Sequence, residues 1–129
     1  MQVIPFVGTI YTGQEVSKFF IEMPWVMQQL KKLVEFTPYL GTLNLHLTVD
    51  STEQRRVYLT PQNGLLIKPQ KGYMPGYLYK AKIFDTPCCV VLPDVPNYPP
   101  NSLEIIAAEN LRNKFALKNN DTVTVLVTL

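Results

Sequence analysis

Eleven prolines are spread along this 129-residue chain from Pro5 to Pro100, and with six glycines they interrupt any regular segment before it grows long. Proline inside a helix removes a hydrogen bond and clashes with the preceding turn, so this spacing excludes a helical bundle. It favours a loop-rich, mostly β domain. With 47% hydrophobic and 17% charged residues, the chain has the composition of one compact domain with a sizeable core, and residues 1–129 are read as a single unit.

The formal net charge of +2 provides no basic stripe of the kind that grips phosphate backbones, so no nucleic-acid partner is expected. The N-terminal stretch lacks a basic, apolar leader pattern, and no segment approaches the roughly 20 apolar residues of a spanning helix. A soluble, cytoplasmic protein with no membrane partner is expected, and a monomer. Cys88 and Cys89 are neighbours within the apolar run CCVVL and read as buried small hydrophobes, not as a disulfide or reactive thiols. His46 is the only histidine and there is no CxxC, which leaves structural zinc without ligands.

Hydrophobic patterning predicts a strand over residues 3–11, a turn at 12–15 and extended chain again over 18–21. A helix is expected from Glu22, with Pro24 in its first turn and Trp25, Met27, Leu30, Leu33 and Val34 at helical spacing, ending before Thr37-Pro38. Lys31 and Lys32 suit its C-terminal dipole. GTLNLHLTVD then alternates at period two. Leu43, Leu45, Leu47 and Val49 are expected on one face, and Thr42, Asn44, His46 and Thr48 on the other. Further strands are expected at 55–59, 65–68, 76–84, 88–92, 103–106 and 122–128. DVPNYPPNS forms either an ordered loop over the barrel or a mobile lid, and AENLRNKF a short helix. Short strands at this spacing imply a barrel or sandwich.

Many chemistries are absent. There is no GxSxG elbow, no Walker A loop and no GxGxxG after a strand. What remains is a set of oxygen and phosphate ligands. Thr42 and Asn44, two apart on one strand face, present a hydroxyl and an amide oxygen in the same direction, which suits a hard cation such as magnesium with substrate phosphates completing its shell. The start of the AENLRNKF helix offers free backbone N–H groups, and Arg112 a fork for phosphate oxygens, although a solvated surface arginine has the same sequence signature. Asp94 is a carboxylate in the proline-rich loop and a base by composition only.

The strings GTLNLHL and LEIIAAENLRNKFALKNNDTVTVLV, some sixty residues apart, resemble the archaeal CTP-dependent riboflavin kinases. The resemblance covers nearly the whole chain. It implies a small six-stranded cradle-loop β-barrel, riboflavin-kinase-like, with one longer and one short helix. It further implies phosphoryl transfer from CTP to riboflavin, giving FMN and CDP, with magnesium held by Thr42 and Asn44. Glu104 would then lie on the flavin side of the cleft. Thr12, Gly13, Gln14 and Lys18 in the first loop and Glu109, Asn110, Leu111 and Arg112 at the last helix would contact the nucleotide. The family's loop reads approximately SGxGEG, whereas residues 12–17 here read TGQEVS and keep one glycine of three. Ala108 replaces the family's proline after EIIA.

Three readings follow. The chain is an active magnesium-dependent kinase whose catalytic base the sequence does not identify. Alternatively, it is a catalytically degenerate member of the same fold that binds flavin or nucleotide without turnover. The third is an unrelated barrel or DNA-binding module, testable by salt-dependent DNA binding.

Overall fold

The computed structural model describes residues 2–13 and 20–129. Its strands are β1 (Val3–Tyr11), β2 (Leu43–Leu47), β3 (Leu65–Ile67), β4 (Gly76–Ile83), β5 (Thr86–Pro93), β6 (Ser102–Ala107) and β7 (Thr122–Thr128). The helices bounded within the described residues are α1 (Pro24–Leu33), α2 (Val49–Tyr58) and the short α3 (Leu111–Lys114), with a 3-10 turn at Pro61–Asn63.

All pairings are antiparallel and run β3-β4-β5-β6-β2-β1-β7, with β4 also pairing β7 through Ala81↔Val127 and Lys82↔Leu126. That last pairing closes six strands into a barrel, as expected, and leaves β3 as an added strand on β4. Closure removes the exposed edges that a small sheet would otherwise present. Gly8 is needed where β1 meets β2, because a Cβ there would stand 2.7 Å from the His46 carbonyl oxygen.

Two apolar clusters follow from strand alternation. Phe6, Ile10, Leu45, Val90, Leu103 and Val125 fill the barrel interior. Val26, Leu30 and Val34 pack with Leu78, Cys89, Val91 and Ile106 in a second cluster, where α1 covers the outer wall. Strand β6 is therefore buried along its whole length, and β5 from Cys88 to Pro93. Burial on both faces explains why these strands read as continuous apolar runs without alternation.

Cys88 belongs to the interior cluster and Cys89 to the one beneath α1. Burial pushes both thiols up to about 12, with the neighbouring Cys89 adding to the shift at Cys88. Only thiolates react appreciably, so the native protein is expected to resist alkylation by iodoacetamide at pH 8 and to react fully once unfolded. Because the folded-state values are raised, the stabilisation they reflect is present below about pH 9 and is lost as pH rises towards 12. A urea-melt series from pH 8 to 11 should therefore show falling stability. Rapid native-state alkylation at pH 8 would contradict the burial of both groups.

The structure corrects four expectations. The strand beginning at Leu43 ends at Leu47, and Thr48 caps α2 by accepting a hydrogen bond from the Ser51 amide at 3.2 Å. Val49 is consequently 87% exposed and does not share the inward face of Leu43, Leu45 and Leu47. The strand expected at 55–59 is instead the second half of α2 and its C-cap, Leu59. Helix α1 stops at Leu33, because Val34 is extended (φ −109°, ψ 148°) while its side chain remains in the cluster beneath the helix. Phe20 and Ile21 are helical, not extended; the rest of that expected segment, Lys18 and residue 19, lies outside the described residues. No helix among the described residues is long and apolar enough to cross a membrane.

Candidate active site

The site grows out of strand register. Asn44 on β2 is paired with Tyr11 on β1 and with Glu104 on β6, so three polar side chains stand abreast on adjacent strands. Their neighbours Ile10, Leu45 and Leu103 point into the barrel, and the polar row therefore faces outward. Asn44 and Glu104 are nonetheless only 5% and 4% exposed. A buried carboxylate must be satisfied by hydrogen bonds, and Glu104 is. Its Oε1 accepts from the Tyr98 hydroxyl at 2.7 Å and its Oε2 from the Thr42 hydroxyl at 3.3 Å. The Thr42 hydroxyl also lies 3.1 Å from Asn44 Oδ1, and its one proton is shared between the two acceptors.

Two clefts adjoin along this row. The larger, about 570 Å³, is lined by Tyr11, His46, Tyr98, Ser102 and Glu104 beneath the proline-rich loop. The smaller, about 230 Å³, is lined by Thr42, Asn44, Tyr39 and the stretch from Glu109 to Arg112. Tyr11 and Thr12 belong to both walls. The Tyr11 ring stacks on His46 with centroids 3.6 Å apart and planes at 15°, and its hydroxyl lies 2.8 Å from Ser102 Oγ. That bonding holds the Tyr11 ring on the wall common to both clefts.

The structure brings most of the sequence candidates together. Thr42, Asn44 and Glu104 form one cluster at the seam. Arg112 reaches across to the first loop, donating from Nη2 to Asn119 Oδ1 at 2.6 Å and to Thr12 Oγ1 at 3.4 Å. Gly13 lies on the larger cleft. Asn110 caps α3 by accepting from the Asn113 amide, and its amide nitrogen donates to the Tyr39 hydroxyl at 3.3 Å. Glu109 pairs with Lys114 at 2.6 Å, and Leu111 is a buried core side chain at the edge of the smaller cleft. Gln14 and Lys18 lie outside the described residues. Asp94 is exposed and lines neither cleft; its amide N–H anchors the loop to the Pro75 carbonyl at 2.8 Å.

Sequence reasoning missed Tyr11, His46, Tyr98 and Ser102. His46 was legible in principle, since its ring lies on the polar face of a segment read as alternating, and Tyr11 less so, since its segment was read only as a strand. Tyr98 gave no signal because irregular backbone carries no periodicity.

The donor set at the seam is a hydroxyl, a carboxamide oxygen and a carboxylate oxygen, without sulfur or imidazole. Such a set fits a hard divalent cation that takes its remaining ligands from phosphate and water. Among the described residues no group of three or more His, Cys, Asp or Glu side chains could hold a metal by itself, so any cation here depends on neutral oxygens and on the second ligand.

The structure is thus a closed barrel whose outer face carries two adjoining clefts at a buried oxygen cluster. Residues 10–127 match the family model for CTP-dependent riboflavin kinases, whose description reads "Domain of unknown function DUF120". A riboflavin kinase from Saccharolobus solfataricus is 34% identical over 125 residues, covering 93% of this chain and 71% of the relative. One from Methanobrevibacter smithii is 32% identical over 120 residues, covering 92% of this chain and 95% of the relative. One from Methanospirillum hungatei is 28% identical over 133 residues, and there the match covers 95% of this chain but 57% of the relative. The chain belongs to the CTP-dependent riboflavin kinase family.

Proposed function

We propose that this protein transfers the γ-phosphoryl group of CTP to the terminal hydroxyl of riboflavin, giving FMN and CDP, with magnesium. The observation that carries the reading is the seam: Asn44 on the smaller cleft and Glu104 on the larger one are register partners joined through the Thr42 hydroxyl. A flavin ring system suits the larger cleft, where Tyr98 and the Tyr11–His46 stack offer flat surfaces. The nucleotide suits the smaller one, beside Arg112 and the backbone of 109–112. The reacting hydroxyl and the γ-phosphoryl group then meet at the seam.

Phosphoryl transfer demands positioning and charge neutralisation more than covalent help from the protein. Glu104 accepts a hydrogen bond from the ribityl hydroxyl, orients its oxygen towards phosphorus and takes its proton as the new O–P bond forms and the bond from the γ-phosphorus to the CDP oxygen breaks. Arg112, held by Asn119 and Thr12, presents its remaining N–H groups to phosphate oxygens. Thr42 and Asn44 would hold the magnesium ion, which when bound neutralises charge on the phosphate oxygens.

The test is FMN formation from riboflavin, with CTP, ATP, GTP and UTP supplied separately, each with magnesium and again with chelator. CTP with magnesium is expected to give FMN, and chelation to remove the product. Saturable riboflavin or CTP binding without FMN from any nucleotide would replace the kinase reading with that of a non-catalytic binder.

A further inference from the structure

The larger cleft owes one wall to the segment 95–101, in which Pro96, Pro99 and Pro100 lack the N–H groups that would hold the segment by its own ladder. Its ends are tied down: the Asp94 amide donates to the Pro75 carbonyl, and the Leu47 amide to the Asn101 carbonyl, both at 2.8 Å. Its middle is gripped from outside by α2. Arg55 Nη1 donates to the Pro99 carbonyl at 2.7 Å, and the guanidinium lies over the Tyr98 ring, 5.2 Å from its centroid. On the opposite side, the Tyr98 hydroxyl donates to Glu104. Arg55 lines a separate groove with Leu59, Leu92 and Pro100, and touches neither cleft. Helix α2 is fastened to the barrel by the Val7 amide donating to Ser51 Oγ at 2.8 Å, so the grip is delivered from a fixed element.

We infer that Arg55 is a positioning residue for the acceptor: it fixes the Tyr98 ring as the wall on which the flavin packs and, through the Tyr98 hydroxyl, sets the Glu104 carboxylate. This inference rests on the proposed riboflavin reading. The contacts divide the labour. The guanidinium plane and its fork act on the loop and the ring, whereas the Tyr98 hydroxyl acts on the carboxylate. Lysine at position 55 keeps the charge but supplies neither the planar stack nor the fork. Phenylalanine at position 98 keeps the wall and loses only the bond to Glu104.

The experiment compares wild type, Arg55→Met, Arg55→Lys and Tyr98→Phe by melting temperature, riboflavin fluorescence quenching and initial rates with riboflavin and CTP varied independently. Arg55→Met is expected to raise the riboflavin KM and Kd about tenfold and to leave the CTP KM within about twofold. Arg55→Lys should fall between it and wild type, and remains informative if the methionine variant does not fold. Tyr98→Phe should lower kcat about tenfold with little change in riboflavin KM. A lowered melting temperature with both KM values unchanged, or equal rises in both, would overturn the inference and leave Arg55 a structural residue. If wild type binds riboflavin without making FMN, the kinase reading fails, and the riboflavin Kd of the Arg55 variants still decides the inference. If wild type binds no riboflavin, both fall.

Discussion

Asn44→Ala is expected to reduce FMN formation by about a thousandfold while the protein stays folded. The side chain is 5% exposed and stands between Tyr11 and Glu104 in the polar row, with its Oδ1 3.1 Å from the Thr42 hydroxyl. Removing the amide takes away one oxygen donor at the point where the two clefts join. The structural cost is small, because the Thr42 hydroxyl retains Glu104 Oε2 as acceptor at 3.3 Å and the loss is one hydrogen bond, about 1 kcal/mol. Chromatographic FMN assay alongside a thermal melt separates the two effects. An alanine variant within tenfold of wild-type activity would remove Asn44 from the reaction centre.

Leu45→Ala should do the reverse. Leu45 is the next residue on β2, fully buried in the barrel interior on the face opposite Asn44. Truncation leaves a cavity among close-packed side chains, which costs about 3 kcal/mol, or roughly a hundredfold in the folding equilibrium. Its side chain touches neither cleft, so activity per folded molecule at 25 °C should remain near wild type. Urea denaturation and specific activity together check this. A loss below about 1 kcal/mol would mean that the barrel collapses around the gap. The pair of substitutions exposes the logic of the strand: one residue of register separates stability from chemistry.

The same alternation made the face that carries Thr42 and Asn44 legible in the sequence. GTLNLHL places Thr42 and Asn44 on one face because a strand has period two, and β1 and β7 coincide with the expected segments 3–11 and 122–128 for the same reason. Strand β6 was legible as a buried apolar run. Helix α2 was not, because only Ser51 is buried along it and a helix exposed on nearly all sides carries no apolar stripe. Its signals were the Thr48 cap, Asp50 in the first turn and Arg55 and Arg56 in the last, which are electrostatic and not hydrophobic. Continuing the β2 alternation through Val49 overrode them.

What the sequence did not reveal about the site is tertiary. The partner of Glu104 in the proline-rich loop, Tyr98, is six residues away and follows Asn97, which adopts a left-handed backbone (φ 64°), while Arg55 bonds the Pro99 carbonyl on its other side in the chain. The stacking of Tyr11 on His46 likewise depends on β1–β2 register. Such contacts join residues of distant segments, and no local pattern encodes them.

The most direct measurement is the fate of the phosphoryl group. Protein incubated with riboflavin, magnesium and CTP labelled at the γ-phosphorus is predicted to yield labelled FMN and unlabelled CDP in a one-to-one ratio, with label transfer lost in Asn44→Ala. Label remaining in CTP, or released as inorganic phosphate with riboflavin unchanged, would contradict the account of two clefts meeting at a seam for direct transfer.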